Sequence, residues 1–234
     1  MKTTKLKILT ILAVSLGGVI SSAFAGTYAN ITIDGSFTDW ADVPLAYTAP
    51  VGSSDAIQYD NVYLANDANN LYIRFTLYSA RPDAFANGYD NLFIDADDNA
   101  STGDPVGGIG SEMLVQWGSG YQEKNGGFSD EGGIDNLGWS IAGSPDSMDF
   151  ELAISRSATY ASDSSLVFDN NTIAILLEGD DTSYNNVEFA PPSGGVAYTF
   201  APVPEPSTFT LAGLGLLILT GRFLQVRKNS KANS

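Results

Sequence analysis

Leu71, Ile73, Phe75 and Leu77 alternate with Tyr72, Arg74, Thr76 and Tyr78 along the stretch LYIRFTLY. The same two-residue period returns in MDFELAI, where Met148, Phe150, Leu152 and Ile154 are interleaved with Asp149 and Glu151. Successive side chains of a strand point to opposite faces, so this period predicts strands with one buried face. NLFID (91–95) and TIAILLE (172–178) are more continuously apolar, as expected of strands near the centre of a packed sheet. No helical period stands out between Tyr28 and Phe200.

The breaks between these runs carry turn chemistry. Asn66, Asp67, Ala68, Asn69 and Asn70 separate two strand-like runs as a hairpin loop would, and the pairs Gly107-Gly108, Gly126-Gly127 and Gly132-Gly133 punctuate the middle. About nine short strands in residues 26–200 predict an all-β fold, a single antiparallel β-sandwich of jelly-roll-like type. No internal repeat or second domain is visible.

Both ends of the chain break this pattern. Lys2, Lys5 and Lys7 precede an uncharged run over residues 8–20 and then Ala23-Phe24-Ala25. That is the layout of a secretory signal peptide over residues 1–25, cleaved between Ala25 and Gly26. At the other end a proline-rich linker (201–207) holds Pro204-Glu205-Pro206, followed by sixteen residues without charge (206–221). These predict a transmembrane helix over 208–226, with Arg222 snorkelling to the interface, and a basic cytoplasmic end at 227–234.

Charge sharpens the division. Seven of the eleven Lys and Arg lie in the two ends, so residues 26–206 hold four bases against all 27 acids, a net of 4 − 27 = −23. Such a body repels nucleic acid, whose binding needs clustered Lys and Arg. With no cysteine and no histidine, Ser-His-Asp triads, cysteine nucleophiles and histidine-ligated zinc are excluded.

The order Pro-Glu-Pro, apolar helix, basic stop resembles the PEP-CTERM sorting signal of Gram-negative bacteria. The resemblance implies export through the inner membrane, transient insertion there, and cutting by an exosortase. The body would then be released or re-anchored at the cell envelope or extracellular matrix. Proteins of this kind are associated with exopolysaccharide production and biofilm formation. A plain single-pass anchor would use the same helix but needs no Pro-Glu-Pro.

ITIDGSFTDWADVP (31–44), VYLANDANNLYIRF (62–75) and NLFIDADDNASTGD (91–104) together resemble the family-nine carbohydrate-binding modules and their DOMON-like relatives. The likeness implies a β-sandwich and, in some members, sugar binding beside structural calcium. By itself, the spacing of Asp95, Asp97, Asn99 and Ser101 at positions 1, 3, 5 and 7 suits a loop around a hard cation. It is not an EF-hand, since Ala100 and Val106 stand where Gly and Glu would be needed, and Asp104 and Glu112 are the further ligands nearby. An Asx-rich turn bonding its own backbone uses the same residues. Asp34 and Asp39 read as turn and cap residues around a core Trp40.

Trp117, Tyr121 and Trp139 lie in glycine-rich surroundings and could stack against sugar rings, having flat apolar faces with a polar handle. Alternatively they are core, with Trp117 on one strand face beside Met113 and Val115. Asp149 and Glu151 are the pair available for glycoside hydrolysis, or simply the solvated face of a strand. The sequence thus predicts an exported, non-catalytic protein that contacts polysaccharide, with calcium as the candidate ion. A surface protein without a specific ligand and a polysaccharide hydrolase are the rivals.

Overall fold

The computed structural model describes residues 24–51, 58–86, 89–127, 132–181 and 187–204. Of the expected segments, the signal peptide up to residue 23, Glu205 and Pro206, the transmembrane helix and the basic end lie outside the described residues.

Two sheets enclose the core. The first runs, in spatial order, Ser140–Gly143, Asp149–Ser155, Asn70–Leu77, Tyr59–Asn66 and Leu45–Thr48, all antiparallel. The second runs Phe24–Ala25, Val196–Thr199, Thr172–Asp180, Asp90–Asp95, Met113–Gln116 and Ser119–Gln122. Its nine-residue strand Thr172–Asp180 pairs with Val196–Thr199 along its first half and with Val187–Ala190 along its second. Parallel pairing enters near the N-terminal segment, where Phe24–Ala25 joins Val196–Thr199 and Tyr28 bridges Asn66. Two small ribbons, Asp104–Val106 with Ile109–Ser111 and Ile134–Asp135 with Thr159–Tyr160, complete the pairing. The strands outnumber the expected nine because several connections pair over two or three residues, too few for a period to show in sequence.

The alternation translates into packing. Leu71, Ile73, Phe75, Leu77, Phe150, Leu152 and Ile154 from the first sheet meet Leu92, Ile94, Met113, Val115, Ile173, Ile175 and Leu177 from the second. Phe75 stacks on Phe150 with centroids 5.4 Å apart. The predicted hairpin loop forms, with Asp67 Oδ1 accepting the N–H groups of Asn69 and Asn70 at 2.7 Å each.

Each sheet is also covered outside. Ile31, Trp40 and Val43 lie over Ala65, Tyr72 and Ala153 on the five-stranded sheet. Ile109 covers Phe93, Leu114, Ala174 and Leu176 on the seven-stranded one. The turn of that covering ribbon requires glycine: Gly107 has φ 51°, and a Cβ there would approach Leu176 to 2.5 Å. The polar face of MDFELAI is therefore not solvated, contrary to the simplest reading of its alternation.

Candidate functional site

The hairpin of Met113–Gln116 and Ser119–Gln122 turns at Trp117 and Gly118, both with left-handed backbone (φ 52° and 70°). Trp117 thus escapes the strand's alternation. Met113 and Val115 point into the core, whereas Trp117 projects into solvent, 52% exposed. Tyr121 sits edge-on to it, centroids 6.4 Å apart at 81°. Trp139 differs: its ring packs on Phe85 at 5.4 Å and against the core, with its Nε1 close to Gly118. Exposed Trp117 and half-buried Tyr121 form an aromatic corner, and Trp139 supports the same turn from the core side.

Beside this corner the outer face of the sheet carries a polar row. Register aligns Glu178, Asn91 and Gln116 across three neighbouring strands. Asn91 Nδ2 donates to Glu178 Oε1 at 2.6 Å, and Gln116 Nε2 donates to Asn91 Oδ1 at 2.8 Å. Burial, with Asp180 adding repulsion, pushes the Glu178 carboxyl up to about 7. Nothing in the local sequence marks this row, because its members are far apart along the chain.

A second site forms at the end of Asp90–Asp95. Carboxylate oxygens of Asp95, Asp97 and Glu112 all lie within 4.8 Å of one another. Glu112 is 6% exposed; its Oε2 accepts the Ala96 N–H at 2.7 Å, while its Oε1 is buried with no hydrogen-bond partner. Burial, with Asp97 and Asp95 adding, raises Glu112 to about 7. Of the residues expected from spacing, Asp95 and Asp97 join this group. Asn99 and Ser101 instead build the turn: Asn99 N donates to Asp95 Oδ1 at 2.9 Å, and Ser101 N donates to Asn99 Oδ1 at 3.1 Å. Three convergent carboxylates and an orphaned buried oxygen fit a hard, oxygen-seeking cation such as calcium. A pocket of about 270 Å³, lined by Asp97, Thr102, Glu112, Lys124, Tyr160 and Asp169 among others, opens beside the group.

The DGSFTDW motif has a structural explanation. Glu151, fully buried, accepts from the N–H groups of Asp34 (2.8 Å) and Gly35 (2.7 Å) through Oε1, and from Trp40 Nε1 (2.8 Å) through Oε2. Asp34 forms the expected turn, accepting the Ser36 N–H. Asp39 is no cap: it lies within the 3-10 helix Phe37–Trp40 and accepts the Thr32 N–H at 2.7 Å. Asp149 pairs with Arg74 through two bonds of 3.0 and 2.7 Å. Both acids of the candidate hydrolytic pair are thus committed to protein partners.

The chain leaves the body beside Asn66, which is fully buried. Its Oδ1 accepts from Tyr198 Oη and Ala201 N, each at 2.7 Å, and its Nδ2 donates to Ala201 O at 3.1 Å. Its backbone bonds Thr27 and Ala29. The expected cleavage point, Ala25-Gly26, therefore lies next to the exit of the tail. Val203 and Pro204 follow, exposed. The PEP-CTERM protein-sorting motif family matches residues 202–228. The chain carries a PEP-CTERM sorting motif. That motif implies export and processing by an exosortase while membrane-anchored. No helix among the described residues is long and apolar enough to cross a membrane, and the expected helix over residues 208–226 lies outside them.

The β-sandwich is similar to two solved structures of a family 9 carbohydrate-binding module from Caldicellulosiruptor kristjanssonii, one with cellotriose and one with glucose. Each is 14% identical with a TM-score of 0.45; the matches cover 79% of this chain and 96% and 98% of those chains. No curated protein matches the chain.

Proposed function

We propose that this is an exported, non-catalytic protein of the cell envelope or extracellular matrix that contacts polysaccharide at the Trp117–Tyr121 corner. The observation that carries this reading is Trp117. A tryptophan more than half exposed at a stiff, left-handed turn, with a tyrosine edge beside it, costs the protein apolar hydration unless a flat apolar partner covers it. A sugar ring is such a partner. The PEP-CTERM motif supports delivery to the envelope, after transient passage through the inner membrane and cutting by an exosortase. Calcium at Asp95, Asp97 and Glu112 would hold the outer layer of the same sheet, a supporting role.

The test is retention of the full chain, in detergent, on gels embedding a panel of polysaccharides, the producer's own exopolysaccharide included. Retention by one glycan class that disappears in Trp117→Ala, with thermal stability unchanged, is the expected result. Absence of retention on every gel would leave a sorted structural surface protein.

A further inference from the structure

The polar row beside Trp117 ends in carboxylates without a counter-charge. Asp180 follows Glu178 by two residues on the same strand and so shares its face. It is 6% exposed, and its Oδ1 is buried with no hydrogen-bond partner. A buried carboxylate oxygen without a donor is costly, and a cation is what relieves it. Burial, with Asp181 adding, accordingly raises the Asp180 carboxyl above its ordinary range.

The fold supplies no such cation. Arg74 is bound to Asp149 and stacked on Phe37 and Tyr63. Arg81 pairs with Asp83, and Lys124 with Asp163 over the Tyr160 ring. Arg156 donates to Asp67 O and lies over Phe200. Among the described residues, every basic side chain is thus engaged elsewhere.

From these observations we infer that the face takes a polysaccharide bearing free ammonium groups, an amino-sugar polymer, with Trp117 stacking on a ring, the half-buried Glu178 receiving the ammonium and the buried Asp180 adding its charge beside it. The inference rests on the glycan reading above and narrows it. Gln116 and Glu178 are two strand spacings apart, about 10 Å, the scale of a disaccharide. Trp117 also favours an ammonium near its face. Uronate, sulfate or phosphate groups would meet uncompensated carboxylates and no free base.

Calorimetric titration of the full chain in detergent, at physiological salt with chelator present, tests this. The probes are a free-amine amino-sugar tetramer, its fully N-acetylated counterpart and a uronic-acid tetramer. The free-amine tetramer should bind about tenfold tighter than the acetylated one, and the uronate should not bind. Glu178→Gln and Asp180→Asn should each bring the two towards equal affinity, whereas Trp117→Ala should weaken both. Equal affinities in the wild type, or a preference untouched by both acid substitutions, overturns the assignment and leaves the glycan reading standing. Failure of every tetramer to bind also overturns the assignment, and the gel panel then decides the glycan reading separately.

Discussion

One carboxylate, Glu151, ties the N-terminal segment to the outer face of the five-stranded sheet through two backbone N–H groups and an indole. All three donors need an acceptor, and glutamine has only one oxygen to offer. Glu151→Gln turns its amide N–H groups against either the Asp34–Gly35 amides or Trp40. The expected cost is about 1–3 kcal/mol, read from urea denaturation. Unchanged stability would mean these bonds are not made in solution. The sequence marks Trp40 as core and Asp34-Gly35 as a turn, but it cannot mark Glu151 as their partner. The two lie more than a hundred residues apart, and a charged residue on an alternating strand looks solvated until its cover is known.

At the level of elements, what was legible was periodic. LYIRFTLY places Leu71, Ile73, Phe75 and Leu77 in the core and MDFELAI places Phe150, Leu152 and Ile154 there, as the two-residue period requires, whereas Met148 precedes the strand and stays half-buried. The outer layers were not legible, because the ribbon over Phe93, Leu114 and Leu176 is too short to carry a period. Trp117 broke its pattern because a left-handed turn begins there. The acidic turn was half legible: spacing marks Asp95 and Asp97, whereas Glu112 could be named only alongside Asp104 as an acid nearby, because it arrives from beyond the covering ribbon and Asp104 does not join the group. That placement gives a prediction. A cation held by Asp95, Asp97 and Glu112 would bind together the strand end, its turn and the far end of the ribbon. Millimolar calcium should raise the melting temperature over chelator by roughly 5 °C if the site is well saturated. Glu112→Gln should abolish that rise. Melting curves superimposable with and without calcium would rule out a stabilising site.

For the whole molecule, buried acids set the response to pH. Burial raises fully buried Asp90 to about 6 despite its bond from the Phe85 N–H, and Glu178 reaches about 7. Both values lie above those of the unfolded chain. The folded protein therefore holds protons that the unfolded chain releases from about pH 4 upward. Stability should fall as pH rises from about 4 to 7, leaving the protein more stable at pH 5 than at pH 8 by on the order of 4 kcal/mol. Asp90→Asn can still accept from Phe85 N–H, and it should flatten the part of this slope below about pH 6 in denaturation measured across pH; a slope unchanged there would take Asp90 out of the account. The same body begins and ends at one spot, since Asn66 holds Ala201 alongside Thr27 and Ala29. From Ala201 to Pro204 the chain spans at most about 10 Å. Whatever grips the tail therefore grips the sandwich by its foot. Measured from Pro204, how far Trp117 reaches is set by the dimensions of the fold itself.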